Sequence, residues 1–427
     1  MKICFVQPET DYQIMKNRYA LAVTFPQIIS DLNLEDTNYC VYIFGKAKCD
    51  FELFLKKNRP THVFVTAITS TFPYAEQIAQ ICQRHECIVV LGGLFASINY
   101  RAIIENFPCF DFIVSGHPDV SLISLVKDKP STPQHLSFSG SSNYSKGLGN
   151  IITDTRFLEY YSGEDTVCYE LTNGCIYNCS FCTMRRAFPK RVLCKRPFNV
   201  VKADIAQLAQ HWKRLKLIDD DIYNSIDLLR GLDLSSFDEV IAETRVDNVS
   251  DASIRVFCEA GITHLIVGIE SFDEFFLTHS RKTRAADKWC GKICHMIRLC
   301  QKYGILMRPV LMITNKFTTL DSLRSLETLL DGWTPENNVE LLCSFYTPHP
   351  GMGENGDYQG LLTNDLRYFD HLHLVWMPPL IDREKKDEVL EIYSKIVDVT
   401  NSHEFNPTLE TPVDMKEKYA CLFKYQA

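Results

Sequence analysis

No stretch of this 427-residue sequence approaches the ~18 apolar residues that a membrane-spanning helix requires, so no membrane span is expected. The opening MKICFVQPE lacks the long apolar stretch and cleavage site of a secretory signal. Positive charge is also short. Lys and Arg number 45 against 53 Asp and Glu, a formal net charge of -8. Phosphate backbones call for clustered cations, so nucleic acid is not expected as a partner. One local exception is MRRAFPKRVLCKR, Met184 to Arg196, with six basic residues and no acidic one. It reads as a solvated basic loop or a contact for an anionic substrate. Internal repeats and low-complexity tracts are absent as well, which excludes a solenoid.

Cysteine is abundant instead. The seventeen cysteines are odd in number and scattered, not arranged as a disulfide framework. Such usage predicts a reducing cytoplasm, in which most cysteines are small buried hydrophobes and a tight cluster means metal or redox chemistry. Hydrophobic residues make up 46% and charged residues 23%, enough for a sizeable core in two or three domains.

The first ~130 residues alternate short apolar runs with helical patterns, the βαβ signal of a parallel sheet. KICFV, CVYIF, HVFVTA, CIVVLGG and DFIVSG read as strands, and YAEQIAQICQRH (Tyr74 to His85) as a crossover helix. A Rossmann-like, doubly wound domain is expected over 1–130. Residues 131–165, rich in Ser, Gly and Pro, read as a linker. Alternation resumes at TVCYELT and continues through LKLIDD, EVIAETRV, THLIVGIES, LMRPVLMIT and VELLCSFYTP, with helical patterns between. That is about six βα units, a partial (β/α)6 barrel over 166–350. A mainly helical segment, 351–427, completes an α/β chain.

LTNGCIYNCSFC places Cys175, Cys179 and Cys182 within eight positions, just past the first barrel strand. Barrels of this kind carry their chemistry at the C-terminal ends of the strands. A structural zinc site normally takes four ligands. The nearest further cysteines, Cys168 and Cys194, stand outside the tight loop. Three thiolates in a short loop suit a 4Fe–4S cluster with one iron left open, ahead of zinc or chance clustering.

The C-x-x-x-C-x-x-C spacing, with Phe181 before the last cysteine, resembles the signature of radical S-adenosylmethionine (radical SAM) enzymes. The resemblance implies that Cys175, Cys179 and Cys182 ligate a 4Fe–4S cluster whose open iron chelates S-adenosylmethionine. Reductive cleavage then yields a 5′-deoxyadenosyl radical, with the electron drawn from an external donor of flavodoxin or ferredoxin type. LKLIDDD is similar to the family's second strand, implying Asp219 near the methionine part. AETRVD is similar to its fourth-strand motif, implying Glu243 and Arg245 near ribose and carboxylate. VGIES is similar to the fifth strand, implying Gly268 against adenine and Glu270 or Ser271 near ribose. FYTPHPG (Phe345 to Gly351) resembles the family's barrel exit, whereas MITNKFTT departs from the glycine-rich stretch of many relatives.

A doubly wound domain ahead of such a barrel resembles the cobalamin-binding subclass. VTAITST and VVLGGLFAS are similar to the loops that flank the corrin and its nucleotide tail, implying cobalamin contacts from Ser70, Gly92 and Gly93. In DFIVSGHPD, His117–Pro118 replaces the usual acidic pair. The D-x-H-x-x-G box that supplies a cobalt ligand elsewhere is absent. The subclass implies methyl transfer to an unactivated carbon or to phosphorus of a small-molecule or peptide substrate. Two other readings stay open: a radical SAM enzyme whose N-terminal domain is empty and which catalyses another radical reaction, and a non-catalytic zinc or iron–sulfur protein.

Overall fold

Ile3–Pro8 (β1) is buried along all six residues. In the computed structural model it lies inside a sheet with neighbours on both edges, which is why it carries no polar face. The structure describes residues 1–8, 20–21, 24–34, 39–44, 50–139, 144–161, 166–187, 193–331, 339–344, 346–348, 360–362, 365–369 and 375–400. Ala20–Leu21 (β2) leaves for a second sheet. The first sheet continues with Tyr39–Phe44 (β3), His62–Thr66 (β4), Ile88–Gly92 (β5), Phe112–Ser115 (β6) and Gln134–Ser137 (β7). All are parallel, in the order β3-β1-β4-β5-β6-β7. Strand order reverses at β1, and in such sheets ligands enter beyond the carboxyl ends of the strands near that reversal.

The five strands read from the sequence are all present. The stretch read as a linker differs: it contributes β7, a polar edge strand whose QHLS sequence carries no apolar run. Alternation along the strands divides the core into two layers. Phe5, Phe64, Val90 and Val114 face one cluster, and Val63, Val65, Val89 and Leu91 face another. In the first, the Phe5 ring lies 5.1 Å from Phe25 and 5.5 Å from Phe64. Each such aromatic pair contributes about 0.5–1.5 kcal/mol beyond its buried area.

The second sheet comprises Thr166–Tyr169 (β8), Arg214–Leu217 (β11), Glu239–Arg245 (β12), His264–Glu270 (β13), Leu306–Met312 (β14) and Leu342–Ser344 (β15). Between them, Thr172–Asn173 (β9) and Cys194–Lys195 (β10) form a short antiparallel pair. The order is β15-β14-β13-β12-β11-β8-β2, parallel throughout, so six consecutive βα strands stand side by side. At the other edge β2 pairs with β8, joining the N-terminal segment to this sheet. The same apolar cluster runs from Phe5 and Phe64 through Val167, Leu215 and Val240, so both sheets share one core.

Along β13, Leu265, Val267 and Ile269 are buried while His264, Ile266, Gly268 and Glu270 are half-buried. A parallel strand covered on both faces would be apolar throughout. This alternation marks an inner face kept partly open. The helix Lys386–Thr400 packs on Leu320–Asp331 through Arg324–Glu388 and Lys395–Glu327 ion pairs. Most of the 345–351 segment and all of 401–427 lie outside the described residues. Among the described residues no helix is long and apolar enough to cross a membrane.

Candidate functional site

The three cysteines sit on the loop that leaves β8. Its first residues are clamped twice. β9 pairs with β10, and Asp219, just past β11, accepts hydrogen bonds from Leu171 N (3.0 Å), Thr172 N (2.7 Å), Thr172 Oγ1 (2.6 Å) and Ser225 Oγ (2.8 Å). Asp219 is fully buried, and burial pushes its carboxyl up to about 6 against these donors. Its oxygens are thus directed at the loop. Gly174, at φ 107°, makes the left-handed turn into Cys175 that a side chain would strain.

Cys179 is buried, Cys175 and Cys182 are half-buried, and none of the three is in a disulfide. Cys182 N donates to Cys179 O at 3.2 Å, and Ser180 N to Ser280 O at 2.8 Å. Among the described residues, no group of three or more His, Cys, Asp or Glu side chains is set to hold a single metal ion. A cluster makes a different demand, because each thiolate binds its own iron. Three thiols spread over one loop, with no disulfide between them, fit that donor set.

Arg245, at the end of β12, reaches this loop from the side. Its Nη1 donates to Cys179 Sγ at 3.2 Å, and its Nη2 to Asp247 Oδ2 at 3.2 Å and to Lys282 O. The guanidinium lies 3.8 Å over the Tyr177 ring, and Tyr177 donates its hydroxyl to Asn248 Oδ1 at 2.6 Å. Asn248 in turn donates to Asp221, which also accepts from Thr244. Two buried atoms here have no hydrogen-bond partner, Arg245 Nε and Asp247 Oδ1. Leaving such groups unpaired costs about 1–3 kcal/mol each, so the pair marks a place for a further polar group beside Cys179.

The other expected residues fall around this centre. Phe181 stacks on Phe276 at 5.9 Å. Glu243, two residues before Arg245, accepts from Lys216 Nζ at 3.2 Å on the inner face. Glu270 has φ 62° at an irregularity in the β13–β14 pairing and binds buried Lys282 at 2.9 Å. A Cβ on Gly268 would lie 2.5 Å from Glu270 Oε1, so the room over Gly268 holds this ion pair. Ser271 Oγ accepts from Asp273 N at 3.0 Å and shapes the turn into the helix Glu274–His279. Tyr177, Asp247 and Lys282 were missed from the sequence. Tyr177 lies inside the cysteine motif, where an aromatic two residues after Cys175 was a usable signal, and Asp247 closes the AETRVD stretch; Lys282 carries none.

A second feature lies between the sheets. A cavity of about 220 Å³ opens at the carboxyl ends of β4, β5 and β6, walled by Thr66, Gly92, Gly93 and His117 on one side and by Tyr144, Glu170 and Asn173 on the other. Its floor is apolar, with Phe25, Phe64 and Val114. A Cβ on Gly92 would meet nothing within 4 Å, so this strand end presents bare backbone to open space. Gly93, at φ 95°, would bring a Cβ within 2.6 Å of Ala67 O, which sets the tight turn. Ser70 belongs to the 3-10 turn Thr69–Thr71, but its side chain is outside those described.

On the far wall, Glu170 accepts from Tyr144 Oη at 2.6 Å and Asn173 Nδ2 at 3.0 Å. Burial pushes its carboxyl up to about 7. Arg196 stacks over the Tyr144 ring at 4.3 Å and donates through Nε to Glu170 O at 2.7 Å. An apolar floor, exposed glycine backbone and a few fixed polar groups suit a mostly apolar ligand oriented by a few polar contacts. Asn173 is two residues from Cys175, so cavity and cysteine loop adjoin in the chain.

Solved structures share this two-sheet arrangement. The radical S-adenosylmethionine methyltransferase TsrM from Kitasatospora setae, solved with tryptophan substrate and a SAM analogue, superposes with a TM-score of 0.63 at 17% identity, covering 81% of this chain and 72% of TsrM. TsrM has also been solved with cobalamin and a [4Fe-4S] cluster bound. OxsB, a cobalamin-dependent S-adenosylmethionine radical enzyme solved with aqua-cobalamin and S-adenosylmethionine, gives 0.57 at 13% identity over 77% of this chain and 52% of its own. The fold is the one shared with TsrM and OxsB. Among curated proteins, the anaerobic magnesium-protoporphyrin IX monomethyl ester cyclase of Cereibacter sphaeroides is 22% identical over 365 residues, 74% of this chain. The match spans 57% of the cyclase's own length. The bacteriochlorophyllide d C-8(2)-methyltransferase of Chlorobaculum tepidum is 22% identical over 377 residues, 78% of this chain and 77% of that enzyme. No family model matches the chain.

Proposed function

We propose that this protein is a cobalamin-dependent radical SAM enzyme that transfers a methyl group to an unactivated carbon, or to phosphorus, of a small-molecule or peptide substrate. The observation that carries the reading is the pairing of a three-cysteine loop with an adjoining glycine-walled cavity at the strand ends of a doubly wound sheet. Methyl transfer is named in the relatives TsrM and the Chlorobaculum tepidum methyltransferase.

When bound, the cluster supplies the electron that cleaves S-adenosylmethionine, and the corrinoid supplies cobalt as methyl carrier. Cys175, Cys179 and Cys182 would hold the cluster, and Gly92 with Gly93 would let the corrinoid approach the backbone. Asp219 keeps the cysteine loop in place through its four bonds. Arg245 Nε and Asp247 Oδ1 offer one donor and one acceptor to a zwitterionic ligand beside Cys179. Tyr144 and Asn173 fix the Glu170 carboxyl at the cavity wall, where burial pushes it up to about 7. The reading calls for a one-electron donor of flavodoxin or ferredoxin type and fits a reducing cytoplasm, in keeping with described cysteines that form no disulfide.

Anaerobic reconstitution with iron and sulfide, followed by gel filtration with hydroxocobalamin, tests the assignment. Retention of both iron–sulfur and corrin absorbance is expected. Cluster without corrin would leave an enzyme with an empty first domain, and S-adenosylmethionine left intact under reduction would leave a metal-binding protein.

A further inference from the structure

We propose that Arg245 sets the reduction potential of the cluster through Cys179, as a positioning and tuning residue on the sulfur itself. The inference rests on the reading that Cys179 ligates a cluster. The geometry is specific. Nη1 stands 3.2 Å from Cys179 Sγ, and the side chain is held there from three sides: the Tyr177 ring face at 3.8 Å, Lys282 O, and the Asp247 carboxylate at 3.2 Å. Arg245 is 6% exposed. A guanidinium so locked keeps its fork aimed at one atom.

The donors of the guanidinium argue for the sulfur as a real partner. A buried cation needs compensation, and Asp247 gives it at Nη2. That leaves Nη1 to Cys179 Sγ, the acceptor it faces. As a thiolate on iron, it would receive a charge-assisted hydrogen bond in a site of low effective dielectric. Hydrogen bonds to cluster sulfurs and nearby charge are what tune such potentials. The entering electron adds one negative charge beside a fixed cation, so the reduced state gains more than the oxidised state. Arg245 therefore raises the potential. Asp247, on the other side of the guanidinium, opposes it, and the pair sets the final value.

A purely structural role would leave the potential unmoved, so the potential is the readout. The full-length protein is reconstituted anaerobically, iron and sulfide are counted, and the cluster is titrated by EPR against dithionite without S-adenosylmethionine. Leaving that ligand out separates an effect on the cluster from any effect on ligand binding. At the wild-type midpoint, Arg245→Gln is expected to lower the reduced-to-oxidised ratio about tenfold, ~59 mV for one electron. Arg245→Lys, which keeps the charge and loses the fork, should fall between. Asp247→Asn should move the midpoint the opposite way, upward. This variant decides the matter if Arg245→Gln retains no cluster. Unchanged midpoints in variants with wild-type iron content would overturn the proposal while leaving the cluster assignment intact. Absence of any cluster in the wild type would overturn both.

Discussion

Thr172 gives two hydrogen bonds to one oxygen of Asp219, through its amide at 2.7 Å and its hydroxyl at 2.6 Å. This contact joins the strand that opens the cysteine loop to the end of the neighbouring strand β11. Asp219→Asn keeps one oxygen acceptor but turns an amide NH2 toward Leu171 N, which now meets a carboxylate oxygen at 3.0 Å. The expected cost is about 1–3 kcal/mol, the range for a buried donor left unsatisfied. A lower urea midpoint, together with reduced iron content after reconstitution, checks it.

Cys179 is the buried member of the triad and the one Arg245 addresses. Cys179→Ala should abolish cluster assembly and S-adenosylmethionine cleavage, leaving the fold in place. Iron and sulfide counts read the first effect, and far-UV circular dichroism reads the second.

Gly92 opens onto the cavity, where an added Cβ meets nothing within 4 Å. Gly92→Val should therefore fold with a thermal midpoint close to wild type, since it fills open space and not packed core. Corrin retention on gel filtration should fall at least tenfold, with cluster content unchanged.

The pH dependence of stability follows from Glu170. An unfolded glutamate ionises near pH ~4.3. Folded, Glu170 keeps its proton up to about 7, because burial disfavours the carboxylate. Between those values the unfolded chain releases a proton that the folded chain retains, so stability falls as pH rises and levels off above about 7. Asp219, pushed up to about 6, adds a loss of the same sign at the acid end of that window. Glu170→Gln should flatten the slope between pH 5 and 7 by up to ~1.4 kcal/mol per pH unit. Urea midpoints measured across that range decide it.

What was legible in the sequence follows what is local. β1, β4 and β5 are apolar runs bounded by turn residues, and each is found where the pattern put it. The cysteine triad is a short motif on one loop and needs no long-range information. β2 was illegible because two residues carry no period, and its partner β8 lies more than a hundred residues on. β7 was hidden because an edge strand with one solvated face can be polar. Arg245 was picked as a site residue at a strand end, but its contact with a sulfur 66 positions away depends on how β12 meets the loop. Lys282, lying beneath Glu270, had no local signal either.

The central claim is that one chain joins radical SAM chemistry to methyl transfer through a corrinoid. Reconstituted protein, reduced in the presence of S-adenosylmethionine with and without cobalamin, should be assayed for 5′-deoxyadenosine and S-adenosylhomocysteine together. Formation of both, with S-adenosylhomocysteine dependent on cobalamin, is the predicted result. Neither product from protein that carries a full cluster and corrin would contradict it.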